Sequence, residues 1–139
     1  MLLGGFAFGV SPDGKFLAFV AVKSGPEEAA STAIAIVNLL VESEQPRLVN
    51  PHSRIGGQLG GLPHFAPDGK SLVYIIREHG ADNLWLQPLD GSPGHQITNF
   101  PSDVIQNYEY SPDGRTLGVM RSHTESDVVL LRDTTSGQQ

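Results

Sequence analysis

Short apolar runs alternate with polar turn segments along the whole chain, and no run has the period of an amphipathic helix. Three of these runs stand out, at residues 16–20, 72–76 and 117–120. Short apolar runs bounded by Gly, Pro, Asn and Asp are typical of β-strands. The pattern therefore predicts an all-β protein. Its strands are expected near residues 5–10, 15–22, 33–38, 46–50, 62–65, 71–77, 83–88, 95–98, 106–110, 116–121 and 127–132.

A Pro-Asp-Gly turn precedes each of the three runs and is followed each time by Lys or Arg. Pro presets φ, Asp bonds to nearby backbone, and Gly takes the positive φ that closes the loop. We therefore expect Gly69 to have a positive φ, and Gly69→Val to cost roughly 1–2 kcal/mol of stability. The structural turn residues are Pro12, Asp13, Gly14, Pro67, Asp68, Gly69, Pro112, Asp113 and Gly114.

The three turns belong to a repeat of about 45 residues with four short strands, which we label A to D. Strand A ends in an apolar residue before the turn, and strand B follows the turn. The second unit continues with Asn-Leu-Trp at 83–85, Asp-Gly at 90–91 and Gln-Ile-Thr at 96–98. This series of motifs resembles the WD-like repeats of TolB and related bacterial β-propellers. The resemblance implies three four-stranded antiparallel blades within one partial β-propeller domain over residues 1–139.

The blades are expected at about 5–50, 61–99 and 104–139, and the third lacks its outer strand. Propellers have four to eight blades, so three blades leave two apolar faces in water. Either the chain is part of a longer propeller, which we favour, or two copies form a six-bladed dimer. We expect the chain by itself to associate in either case, most simply as a dimer.

The first repeat carries about ten extra residues, because Pro12 and Pro67 are 55 apart whereas Pro67 and Pro112 are 45 apart. About five lie between strands B and C, and about five follow strand C, within 51–61 if that Gly-rich stretch is a loop. Alternate connections of an antiparallel meander lie at opposite ends of the strands. Both insertions are then expected on the face opposite the Pro-Asp-Gly turns, which we call the loop face. Insertions in repeats often mark a binding face.

Candidate binding residues follow from this layout. His52, His79 and His123 are expected in loops of the loop face, where with Arg54 they form either a polar, anion-binding patch or simply solvated loop residues. A second candidate lies on strand A, beside the central channel of a closed propeller. There His64 and Glu109 occupy the same repeat position, either as a channel site or, as we favour, as a polar contact between blades.

Composition excludes several classes of function. The net charge of −6 and the absence of a basic stripe argue against nucleic acid as a partner. The chain has no cysteine and no apolar run long enough for a membrane span, and no metal or cofactor is expected. No nucleophile elbow, glycine-rich phosphate loop or HExxH motif is present, so no catalytic residue is assigned.

The leading interpretation is a non-catalytic propeller module that binds a protein or small ligand on its loop face. The family resemblance implies a larger TolB-like or sensor protein as the parent and slightly favours a periplasmic or extracytoplasmic location. The alternative is enzymatic. Similar blades form the gating propeller of prolyl-oligopeptidase-type serine peptidases and the body of some sugar lyases. The peptidase would need a separate hydrolase domain, and the lyase would need converging metal-binding histidines.

Overall fold

The computed structural model describes residues 2–25, 30–56, 61–123 and 125, with side chains from residue 8 onward. This part of the chain contains ten strands and no helix. The strands are β1 (Leu2–Val10), β2 (Phe16–Lys23), β3 (Ser31–Asn38), β4 (Arg47–Val49), β5 (His64–Phe65), β6 (Ser71–Glu78), β7 (Ala81–Pro88), β8 (His95–Gln96), β9 (Val104–Tyr110) and β10 (Leu117–Ser122).

The strands form three antiparallel sheets, in each of which strands that follow one another in the chain are paired. Two are four-stranded, β1-β2-β3-β4 and β5-β6-β7-β8, and in the third β9 pairs with β10. We call these sheets blades 1, 2 and 3. The all-β prediction is confirmed, and the sheets are open rather than closed into a ring. The strand predicted at 127–132 lies outside the described residues.

Side-chain hydrogen bonds define the Pro-Asp-Gly turns. In blade 1 the Ser11 hydroxyl donates to Asp13 Oδ1 at 2.6 Å, and the Lys15 amide donates to the same oxygen at 3.1 Å. These bonds, that from Ser11 first, hold the pKa of Asp13 below its ordinary value. Gly14 closes the turn with a φ of 71°. The predicted positive φ of Gly69 is confirmed at 69°.

The core lies between the blades, because each strand of a blade alternates its side chains between two neighbours. Leu72, Tyr74 and Ile76 of β6 pack with residues of blade 1, whereas Val73 and Ile75 pack with residues of blade 3. Residues 71–76 are consequently buried on both faces of the sheet. This two-sided burial explains why the run is continuously apolar instead of alternating.

Residues 54–56, which the sequence analysis placed in a loop, pair with β6. The Arg77 amide donates to the carbonyl of Arg54 at 2.9 Å, and the Gly56 amide donates to the carbonyl of Ile75 at 3.1 Å. Ile55 forms a bridge to Ile76 between these bonds. Because β5 covers only the first residues of β6, residues 54–56 take the place of strand A along the rest of β6. The spacing of the repeats predicted an insertion here, and no local pattern indicated this pairing.

Candidate functional site

The loop face carries the connections β2–β3, β4–β5, β6–β7 and β8–β9, at the end opposite the Pro-Asp-Gly turns. His52 lies in the β4–β5 connection, His79 in the β6–β7 turn, and His123 directly after β10. The three histidines therefore lie at the same end of the strands. Each one has its own set of partners, however, and the structure does not unite them in one site.

His52 is packed into the blade. Its ring lies against Trp85, with 4.3 Å between ring centroids. Its amide donates to the Tyr74 hydroxyl at 2.8 Å, and its Nδ1 accepts from the Arg54 amide at 3.1 Å. These contacts organise the β4–β5 connection. The side chain of Trp85 packs against the core between blades 1 and 2, and its buried Nε1 has no hydrogen-bond acceptor among the described residues.

Arg54 forms an ion pair with Glu78, a residue that sequence reasoning did not select. His79 Nδ1 lies 3.7 Å from the same Glu78 carboxylate, and the His79 side chain is 90% exposed. The Arg54 charge is therefore balanced within the protein. This pairing weakens the interpretation of the patch as an anion site, because an anion would compete with Glu78.

His123 belongs to a third group, around Asp103. The distance from His123 Nδ1 to Asp103 Oδ1 is 2.9 Å, and Arg121 lies 3.5 Å from the other carboxylate oxygen. The hydrogen bonds from His123 and then Ser102 lower the pKa of the Asp103 carboxyl. The Arg121 guanidinium lies 4.0 Å from the centre of the Phe100 ring. Asp103 gave no sequence signal, because its charged partners Arg121 and His123 lie about 20 residues further along the chain, at the end of β10 and just after it.

A pocket of about 220 Å³ opens on the loop face beside His79. Its wall includes Asn83, whose side-chain Oδ1 accepts from the Thr98 hydroxyl at 2.8 Å and from the Phe100 amide at 2.7 Å. These bonds fix the position of the Asn83 side chain, and Glu78 and His79 also line the pocket. The pocket is lined by Ile76, Glu78, His79, Ala81, Asn83, Gln96, Asn99, Phe100 and Pro101.

His64 and Glu109 meet across the seam between blades 2 and 3. The distance from His64 Nδ1 to Glu109 Oε2 is 3.8 Å, and the His64 ring lies 4.7 Å from the Tyr108 ring. Burial lowers the pKa of His64, and the Glu109 carboxylate partly opposes this shift. Glu109 remains 73% exposed, so this pair combines a contact between blades with an accessible carboxylate on the strand A side.

The part of the chain that the structure describes contains neither a metal-binding cluster nor a membrane-spanning helix. No group of three or more His, Cys, Asp or Glu side chains there could hold a metal ion. Within the same residues, no helix is long and apolar enough to cross a membrane.

No protein-family model matches the chain, and the curated proteins contain no significant match. Several solved structures are similar. The Pyrococcus horikoshii acylaminoacyl peptidase matches with a TM-score of 0.59 and 17% identity over 98% of this chain and 20% of that one. The apo AtxE2 isopeptidase matches with a TM-score of 0.54 and 16% identity over 78% of this chain and 20% of that one.

An acylaminoacyl peptidase in complex with Z-Gly-Gly-Phe-chloromethyl ketone also matches, with a TM-score of 0.53 and 20% identity over 88% of this chain and 18% of that one. The chain therefore spans about a fifth of the length of the solved structures that it matches. At these identities the similarity shows the fold alone. The matched parts are propeller-type domains, and the class of this protein is accordingly a β-propeller-like, all-β protein.

Proposed function

We propose that this chain supplies blades to the propeller domain of a serine peptidase with the architecture of the acylaminoacyl peptidases. The observation that carries the proposal is the match to the Pyrococcus horikoshii acylaminoacyl peptidase, which extends over 98% of this chain. The AtxE2 isopeptidase, a second peptidase, matches as well. This proposal develops the enzymatic alternative that the sequence left open.

In this proposal the blades are not catalytic, and the nucleophile belongs to a hydrolase domain outside these residues. The blades restrict which peptides reach that domain. His64 and Glu109 are the candidates for this selection, because both lie on strand A, which lines the central channel when a propeller closes. The accessible Glu109 carboxylate favours peptides with a free ammonium group or a basic side chain over acidic peptides.

The test is to express the complete open reading frame that contains these codons and to assay chromogenic N-acetylated amino-acid amides. We expect turnover that a fluorophosphonate abolishes. Glu109→Gln is expected to reduce hydrolysis of long basic peptides several-fold while leaving the short amides unchanged. Glu42→Gln, which removes the same charge from an exposed residue of the β3–β4 connection, is the matched control. A reading frame without hydrolase activity would contradict the proposal.

A second candidate function is binding of a small polar ligand at the loop face, as in a TolB-like or sensor protein. The observation in its favour is the 220 Å³ pocket with Glu78, His79 and Asn99 among its lining residues. Thermal unfolding in the presence of a panel of amino acids and dipeptides tests it. A ligand bound there should raise the Tm, and Asn99→Ala should remove that rise. A uniform absence of stabilisation across the panel would count against this function.

A further inference from the structure

We propose that a basic peptide in an extended conformation binds at the end of the strands opposite the loop face, which we call the turn face. The peptide lies in a groove formed by the three Pro-Asp-Gly turns and by the strands that lead into them. The proposal rests on the lining and the charge of this groove. It does not depend on the enzymatic function proposed above, because binding is measured without turnover.

The first part of the groove is a hollow of about 240 Å³, which we call the inner hollow. It lies where β1, β5 and β9 end, because the last residues of these strands, Val10, Phe65 and Tyr110, all line it. Its wall combines these side chains and the prolines of the turns with polar groups such as the Glu109 carboxylate. The inner hollow is lined by Val10, Pro12, Phe65, Pro67, Glu109, Tyr110, Ser111 and Pro112.

A second hollow, of about 170 Å³, lies between the turns of blades 1 and 2, and we call it the side hollow. The aspartates of both turns line it, together with Phe16 of β2. Pro12 lines both hollows, and the chain neighbours Pro67 and Asp68 line one each, so the two hollows adjoin across a single turn. The side hollow is lined by Ser11, Pro12, Asp13, Phe16, Asp68 and Gly69.

Space for the side hollow comes from looser packing between the first two turns. A Cβ on Gly69 would lie 3.8 Å from Pro12, whereas a Cβ on Gly114 would lie 2.7 Å from Pro67. The same contact of the repeat is therefore closed between blades 2 and 3 and more open between blades 1 and 2. The turn face consequently offers a place for a side chain from outside between its first two turns.

Asp68 has more free acceptor capacity than the aspartate of the first turn. The Ser11 hydroxyl donates to Asp13 Oδ1 at 2.6 Å, but Ala66 takes the position of this serine in blade 2. Asp68 Oδ1 accepts from the Lys70 amide at 2.9 Å and has no hydroxyl donor among the described residues. Its carboxylate can therefore accept hydrogen bonds from a ligand.

The charge of the groove favours a cation. Asp13, Asp68 and Glu109 line its two hollows, whereas no Lys, Arg or His is among the described residues that line them. The Asp68 charge also acts on the inner hollow, because it adds to the effect of burial in raising the pKa of Tyr110. The basic residues that follow the turns lie outside both linings, namely Lys15, Lys70 and Arg115. Complementary charge therefore selects a basic ligand.

The size of the hollows favours a peptide over a compact molecule. Each is smaller than the roughly 300 Å³ at which pockets for small molecules begin, so each accommodates about one side chain. An extended peptide presents successive side chains along one backbone, so an apolar side chain can enter the inner hollow and an Arg or Lys the side hollow. There the cation lies between Asp13 and Asp68, and its stem packs on Pro12 and Phe16.

Calorimetric titration of the chain with a synthetic peptide tests the proposal. The probe is the hexapeptide Leu-Arg-Pro-Leu-Arg-Pro, acetylated and amidated so that only its Arg side chains are charged. We expect saturable binding whose affinity falls as the salt concentration increases. The peptide with Glu in place of Arg should not bind, and the peptide with Ser in place of Leu should bind more weakly.

Matched variants locate the site. Asp68→Asn should weaken binding about two- to fivefold, the range for one exposed ion pair. The control Asp90→Asn removes the same charge from the β7–β8 connection, which lies at the same end of the strands but lines neither hollow. Val10→Lys, which puts a cation at the inner hollow, should also weaken binding. Val22→Lys, at an exposed position near the other end of β2, should not.

Several results would overturn the proposal. These are no binding, equal binding of the Arg and Glu peptides, or equal losses in Asp68→Asn and Asp90→Asn. Displacement of the peptide by an equal concentration of putrescine would also do so, because a dication without side chains would identify a site for cations alone. Amide chemical shifts should change at Gly14 and Gly69, and changes confined to the loop face around His79 would contradict the location. None of these readouts depends on the hydrolysis assay.

Discussion

Pro67 of blade 2 lies against Gly114 of blade 3, so closely that a Cβ on Gly114 would be 2.7 Å from the Pro67 Cβ. Gly114 also has a φ of 70°, which disfavours any L side chain. The Pro-Asp-Gly motif therefore has two roles, since it turns the chain within one blade and packs against the turn of the next. Gly14 and Gly69 have nearly the same φ, 71° and 69°, but different surroundings.

This difference predicts unequal effects of three matched substitutions. Gly14→Ala and Gly69→Ala should each cost about 1 kcal/mol, because they introduce only the backbone strain of a positive φ. Gly114→Ala should cost at least about 1 kcal/mol more, because its Cβ also collides with Pro67. Chemical denaturation of the three variants measures the free energies of unfolding. Equal losses at all three positions would show that the contact between the turns is unimportant.

The Tyr108 hydroxyl is predicted to stabilise the seam between blades 2 and 3. It is buried within hydrogen-bond distance of the carbonyls of Leu62 and Val73 and shares its one proton between them, so Tyr108→Phe removes their donor. We expect a loss of about 1–2 kcal/mol. Tyr110→Phe, on the same strand and only partly buried, is the control and should change stability by less than about 0.5 kcal/mol. Comparable losses in the two variants would contradict the prediction.

Burial also raises the pKa of Tyr108 well above its ordinary value of 10.0. The unfolded chain therefore ionises first as the pH increases, and stability should decrease above pH 10. Absorbance at the tyrosinate band, followed together with circular dichroism, should show Tyr108 ionising only as the protein unfolds. Substitution by Phe should remove this component of the alkaline transition, and its persistence in the variant would assign it to another group.

Asp82 is a buried link between blades 2 and 3. It is 0% exposed, its carboxylate accepts from Arg77 Nε at 2.7 Å, and its other oxygen accepts from the Ile105 amide at 3.0 Å. Asp82→Ala should cost about 3 kcal/mol, because two charge-assisted hydrogen bonds are lost and the Ile105 amide is left without its acceptor. The exposed Asp90 gives the control variant Asp90→Ala, for which thermal denaturation should show a much smaller effect.

The seam at His64 predicts a loss of stability in mild acid. Burial depresses the pKa of His64 in the folded state, so the unfolded chain binds the proton first as the pH falls below 6.5. The free energy of unfolding should therefore decrease below pH 6.5, and His64→Gln should flatten this part of the profile.

The carboxylates of the Pro-Asp-Gly turns are expected to affect stability at a lower pH. The lowered pKa values of Asp13 and Asp113 give stability that is present above pH 3.8 and lost as the pH falls further.

The chain by itself is expected to hydrolyse nothing, because no nucleophile and base are assigned within it. Incubation with chromogenic ester and amide substrates should give the buffer rate at every protein concentration. A rate proportional to protein concentration and abolished by one Ser→Ala substitution would overturn this prediction.

The sequence by itself determined the strands and the turns. These are local features, because a Pro-Asp-Gly turn such as Pro67 to Gly69 closes through its own side chains and backbone. The apolar runs also indicated burial, since two-sided packing of residues 71–76 needs an unbroken apolar segment. Both signals are readable without knowing where the neighbouring blades lie.

Only the tertiary structure decided the partners of the candidate residues on the loop face. Arg54 pairs with Glu78, and His123 pairs with Asp103, across separations of 24 and 20 residues that no repeat position marks. The sequence did not predict the bridge between Ile55 and β6 either, because this bridge forms only where β5 is too short to cover β6. Such contacts follow from how strands from different parts of the chain align, and a local pattern of residues carries no information on that alignment.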